Sequence, residues 1–180
     1  MKKTLLSAVA LLFCFAAAWA QVPPTEHPDT SGPGWADLFA PDLSNALFPE
    51  GVWIVEDGLL TASEDEVIWT SKVYDDFVLD LEFRNAPGTN SGVFIYGSDV
   101  VDFVPNSVEI QIADDYAEQW ANAPATWQAG AFFGHKPAAK RAVKQPGEWN
   151  RYTITARDNR VWVLLNGELV NEIDLSRWTS

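Results

Sequence analysis

The sequence predicts an all-β chain, an antiparallel sandwich or barrel. Three observations predict it. From Gly51 onward the chain is a series of short apolar or alternating runs. Turn signals separate them at intervals of about 8–12 residues. No amphipathic stretch between them is long enough for the helices a parallel sheet requires. The 180 residues, 47% hydrophobic and 21% charged, suffice for one domain with a real core and not comfortably for two.

Taken in order, residues 1–20 read as a secretory signal peptide. Met1-Lys2-Lys3 is a cationic start, residues 4–17 are almost wholly apolar, and Ala18-Trp19-Ala20 fits small-x-small cleavage before Gln21. The apolar run is shorter than the roughly 20 residues of a spanning helix. Phe13 before Cys14 is too large for a lipidation motif. Cleavage would remove Lys2, Lys3 and the only cysteine, leaving 10 basic and 25 acidic residues, a net charge of −15, and no disulfide or thiol nucleophile. This suits a bacterial periplasmic or secreted protein, free of the membrane after cleavage. Residues 21–33 hold four prolines and read as a flexible leader before a domain over 34–180.

Within that domain, Val52 to Val55 and Leu59 to Thr61 flank Glu56-Asp57-Gly58, a hairpin signal. Residues 77–84 alternate, with Phe77, Leu79, Leu81 and Phe83 on one face and Val78, Asp80, Glu82 and Arg84 on the other. Residues 85–92 form a turn cluster, and a strand follows over Val93 to Tyr96. Val108 to Ile112 alternates again, with Glu109 and Gln111 opposite three β-branched residues. Asp115 to Ala123 is the only helical candidate. Ala129 to Gly134 and Glu148 to Arg157 are further strands, and Val161 to Ile173 is a hairpin turning on Asn166-Gly167.

A pI near 4.3 argues against nucleic acid, whose phosphates need clustered Lys and Arg, and against anionic membrane surfaces. There is no phosphate loop, paired-histidine zinc helix or Gly-x-Ser-x-Gly elbow. His27 falls in the leader; His135 falls in a loop after a strand, at a sheet edge. If the strands carrying Glu82, Arg84, Glu109 and Gln111 are neighbours in one curved sheet, these four form a polar patch. Tyr96, Trp120 and Trp127 lie near the ends of those strands. Aromatic platforms beside carboxylate, amide and guanidinium groups suit a carbohydrate, whose C–H faces stack on rings while its hydroxyls need donors and acceptors. Glu109, an acid inside an apolar strand, is the first candidate for acid–base chemistry, and Asp114 could face the same site. A divalent metal ion held by carboxylate and imidazole is a further possibility.

The ordered set Gly34-Trp-Ala-Asp-Leu-Phe39, Trp53 to Leu60, Tyr74 to Phe77, Leu81 to Arg84, Gly88 to Phe94, Val108 to Ile112, Gly130 to Gly134, Gly147 to Asn150 and Leu165-Asn-Gly167 resembles the secreted bacterial 3-keto-disaccharide hydrolase family, formerly a domain of unknown function. The resemblance spans about residues 34–178. It implies a concanavalin A-like jelly-roll β-sandwich of two antiparallel sheets, one concave and facing the ligand. It also implies action on glycosides oxidised at the 3-hydroxyl, by removal of the C2 proton and loss of the C1 group. Carried onto this chain, Glu109 is the base or a metal ligand, with Gln111, Arg84 and Asn90 as substrate contacts; from the residues themselves His135 is the second catalytic candidate, and Tyr96 and Trp127 are candidates for substrate binding. Family members continue past Asp174 to Trp178 with further strands and a Gln-x-His-Gly-like turn. The alternatives are then a fragment, a trimmed member or completion by another chain. A lectin-like carbohydrate-binding domain is the competing function.

Overall fold

The computed structural model describes residues 22–177; the signal-peptide reading of residues 1–20 and Cys14 lies outside them. Ten strands form: β1 Ala46–Leu47, β2 Trp53–Glu56, β3 Leu59–Ala62, β4 Trp69–Thr70, β5 Phe77–Arg84, β6 Asn90–Ile95, β7 Val108–Ala113, β8 Trp149–Arg157, β9 Arg160–Leu165 and β10 Glu168–Asp174. The single α-helix among the described residues, α1 Glu118–Ala121, is one turn long, well inside the Asp115-to-Ala123 stretch read from sequence.

Alternation decides which way each strand faces. β5, β8, β9 and β10 join in the order β10-β9-β8-β5, every pair antiparallel. On one side of this sheet Leu79, Leu81 and Phe83 meet Tyr152, Ile154, Val161, Val163, Leu165 and Val170 in the core. The β9–β10 turn uses Asn166 and Gly167 at φ 52° and 85°, the two left-handed positions the Asn-Gly pair accepts at little cost.

The second layer is built on β6 and β7, paired from Asn90 opposite Ala113 to Ile95 opposite Val108. Ile110 and Ile112 enter the same core. Residues 129–134, read from sequence as a strand, run along β7 as an irregular third strip. Gln111 donates its N–H to Ala131 O, Gly130 to Gln111 O and Phe133 to Glu109 O, each at 3.0 Å. The two layers are thus a jelly-roll sandwich. Tyr152 joins them: its ring stacks on Phe83 at 4.9 Å, and its hydroxyl donates to the Gln111 carbonyl at 2.7 Å. Complete burial pushes that phenol well above the usual tyrosine range, so it stays a neutral donor.

The other side of the four-stranded sheet carries Asp80 and Thr153, with Trp162 and Leu164 also fully covered. The segment read as a flexible leader lies against this side. Gly167 N–H donates to His27 Nε2 at 2.8 Å, which makes Nδ1 the donor to Thr153 Oγ1 at 2.7 Å. Thr153 in turn donates to Asp80 Oδ2. Arg151 closes the set, with Nε on Asp80 Oδ1 at 2.9 Å and Nη2 on the Pro28 carbonyl at 2.8 Å. Proline-rich composition therefore marks this stretch as irregular, while its one imidazole ties it to β8 and to the β9–β10 turn. No helix of the described residues is long and apolar enough to cross a membrane.

Candidate active site

Pairing fixes what surrounds Glu109. Residues opposite one another across an antiparallel pair share a face. On the side of β6–β7 turned away from the core, Phe94 stands opposite Glu109, Gly92 opposite Gln111 and Asn90 opposite Ala113. Across the other edge of β7, Phe132 pairs with Ile110 and faces the core, so Phe133 lies opposite Glu109 on the outer side. Glu109 therefore rises between two phenylalanines.

Both flanks extend into aromatic clusters. Phe94 meets Phe103 edge-on at 4.9 Å and Trp69 at 6.2 Å, and Trp69 meets Phe103 at 5.7 Å. A Cβ on Gly97 would approach the Trp69 ring to 2.9 Å, so the indole rests directly on backbone there. The Trp69 indole N–H is buried without a hydrogen-bond partner. On the other flank Trp127, which ends the 3-10 turn Ala125–Trp127, lies against Phe133 at 5.5 Å and stays 42% exposed.

The Glu109 side chain folds over Gly92. A Cβ at position 92 would stand 2.8 Å from Glu109 Cγ and 2.9 Å from Cδ, closer than side chains tolerate. Partial burial pushes this carboxyl up to about 7, and no neighbouring charge contributes. Gln111 is completely buried. Its amide satisfies its surroundings with the NH2 directed to Glu109 Oε1 at 3.1 Å and to Ser91 O at 2.9 Å; its oxygen then lies 3.0 Å from Asn90 Oδ1, where Asn90 donates once its own amide is turned to set the NH2 there. That donated bond favours the ionised carboxylate and opposes the effect of burial.

Of the residues singled out from sequence, Glu109, Gln111 and Asn90 come together, and Trp127 borders them through Phe133. His135 is exposed in the Phe132–Lys136 turn, two residues beyond Phe133. Arg84 is not with them. β5 pairs with β8 and not with β6 or β7, so the proposed patch of Glu82, Arg84, Glu109 and Gln111 is divided between the outward sides of two opposed layers. Arg84 lies over the Trp149 ring at 5.0 Å instead. Tyr96 is also elsewhere. Its φ of 56° ends the alternation of β6 and turns its ring onto the core beside Phe77 at 6.3 Å. Trp120 is held to the neighbouring loop, its Nε1 donating to Gly88 O at 3.3 Å. Asp114 is likewise occupied: its carboxylate accepts from Gly88 and Tyr116 N–H and knits the loop before β6 to the turn after β7.

Phe94, Phe133, Trp69, Phe103 and Gly92 were not legible as site residues. The alternation of Val93-Phe94-Ile95 offered a signal for Phe94, but only pairing with β7 says that its outer face is the face of Glu109. For a metal ion the donor set does not fit: among the described residues no three of His, Cys, Asp and Glu gather around one point, and the immediate partner of Glu109 is an amide.

Residues 20–180 match the family model described as the 3-keto-alpha-glucoside-1,2-lyase-like domain. No curated protein matches the chain. Among solved structures, one of a candidate glycosyl hydrolase from Parabacteroides distasonis ATCC 8503 is 48% identical with a TM-score of 0.79, over 81% of this chain and 75% of that one. A second candidate glycosyl hydrolase from that organism, 23% identical over 74% and 68% of the two chains, shares the fold with a TM-score of 0.65. A third is 26% identical with a TM-score of 0.54, over 74% of this chain and 62% of its own.

Proposed function

Because the chain belongs to the 3-keto-alpha-glucoside-1,2-lyase-like domain family, and its function is accordingly carbohydrate-active, we propose that it cleaves 3-keto-glycosides with Glu109 as the base. The observation that carries this reading is the carboxylate between Phe94 and Phe133, pushed up to about 7 by burial, with no charge of the described residues contributing to the shift. Ordinary glycoside hydrolysis uses two carboxyl groups flanking the scissile bond. A 3-keto sugar needs fewer. Its carbonyl acidifies the C2 proton, so one base near C2 begins the reaction.

Glu109 takes the C2 proton. The C2–H electron pair becomes an enolate with the C3 carbonyl, then forms the C1–C2 double bond as the C1 oxygen departs with its pair. The departing oxygen takes up a proton, for which His135 in the adjoining turn is the candidate donor. Water adding across the enone completes a net hydrolysis. The aromatic flanks supply faces for the sugar's C–H surfaces, Trp127 on the outer side. The polarising of the C3 oxygen is assigned to no described side chain, and the divalent metal that the sequence left as a possibility enters no step.

The test is release of chromophore from a 3-keto-glucoside by the purified protein, with the unoxidised glucoside as control. Release confined to the keto substrate is expected. Saturable binding of either sugar without release by a folded protein would overturn the enzyme reading in favour of a carbohydrate-binding domain.

A further inference from the structure

Gln111 was expected to touch substrate, yet its side chain has no exposed surface. What it does touch is informative. Both amide hydrogens are engaged, by Glu109 Oε1 and Ser91 O, and the amide oxygen lies 3.0 Å from Asn90 Oδ1, where the turned Asn90 amide donates. Its own backbone is held as firmly, because its carbonyl accepts from both Gly130 N–H at 3.0 Å and the Tyr152 hydroxyl at 2.7 Å. A group this constrained has one orientation. Its bond to Oε1 is the only hydrogen bond the Glu109 carboxylate makes among the described residues.

The geometry points to Gln111, backed by Asn90, as a positioning residue that aims the Glu109 carboxylate, occupying Oε1 and leaving Oε2 to take the proton. The inference rests on the reading of Glu109 as the base. The residue type follows from the surroundings. A leucine of similar size would leave the carboxylate without a donor. A glutamate would place a second carboxylate about 3 Å from the first, and two such groups cannot both ionise readily. Glutamine alone gives Oε1 a neutral donor and turns an acceptor toward Asn90. Gly92 completes the arrangement by leaving room for the carboxylate on the opposite strand.

The experiment is a carbon-13 NMR titration of the Glu109 carboxyl in the intact protein, its signal assigned by its loss in Glu109→Gln. It is run on the wild type, Gln111→Leu and Asn90→Ala, beside the pH dependence of turnover of a 3-keto-glucoside. A hydrogen bond to a charged group is worth enough to move a titration by roughly one to two pH units. An alkaline shift of that size is expected in Gln111→Leu and a smaller one in Asn90→Ala, with kcat reduced and KM nearly unchanged. Asn90 is exposed, so its variant carries the test if Gln111→Leu fails to fold. An unshifted Glu109 titration in a folded variant overturns the inference. A shifted titration with an unmoved pH–rate limb supports the positioning of Glu109 and counts instead against Glu109 as the base.

Discussion

Gly92 and Glu109 occupy the same space from neighbouring strands: the carboxylate lies where a Cβ of residue 92 would be. A close backbone approach of this kind is why a glycine stands inside β6 despite its cost to a strand. Gly92→Ala should therefore displace Glu109 while leaving the core face of β6 intact. Turnover is expected to fall by at least tenfold, with a fall in Tm of only a few degrees, measured by steady-state kinetics and thermal denaturation.

Glu109→Gln should abolish turnover and raise stability at alkaline pH. The folded carboxyl titrates at about 7, above its ordinary 4.5. A raised acid favours folding below the unfolded value, and that contribution is lost as pH rises from 4.5 through 7. The variant and the wild type should thus share a Tm near pH 4, and the variant should melt higher at pH 8. Equal melting at pH 8 would show that Glu109 is not held away from water.

As the proposed base, the same group should set the acid limb of activity. A base must be ionised, so kcat/KM for a 3-keto-glucoside should fall about tenfold per pH unit below about 7. A limb near pH 4 instead would point to an unperturbed carboxylate.

Trp127→Ala should act on binding. The ring is partly exposed and backed by Phe133, so it offers a stacking face without supporting the core. Loss of an aromatic platform worth about 1 kcal/mol predicts a KM several-fold higher at nearly constant kcat.

His27 should make stability depend on pH in the opposite sense from Glu109. Burial and the Arg151 guanidinium, against the pull of Asp80, hold its imidazole below the usual range. A lowered histidine contributes stability above its unfolded value of 6.5 that is lost as pH falls through the folded value. Protonation forfeits the bond from Gly167 N–H, because Nε2 can then no longer accept. His27→Ala should increase proteolytic cleavage before Gly34 at pH 8, and the difference from wild type should shrink at pH 5.

Much of the fold was legible because alternation reports faces locally. Phe77 to Arg84, Glu148 to Arg157 and the Asn166-Gly167 hairpin each carry their own pattern, and Glu109 stood out as an acid within an apolar run. Neighbourhood was not legible. β5 finds its partner β8 about seventy residues later, and nothing in either strand says so; that is why Arg84 was grouped with Glu109. Tyr96 was misplaced by a single left-handed backbone angle, and Gln111 looked like a surface amide because the strip 129–134 that shields it is irregular. Both hydrogen-bond partners of His27 lie more than 120 residues away.

That last separation bears on the order in which the molecule can assemble. The place where His27 rests is made by Thr153 and Gly167, and the Arg151 guanidinium holds the carbonyl beside it. Synthesis delivers the imidazole first and its berth 126 to 140 residues later. Until β8 and the β9–β10 turn exist, the opening segment has nothing to close upon. Seating of His27 therefore follows the formation of β8 and the β9–β10 turn. A chain stalled before Thr153 would leave this segment open to protease.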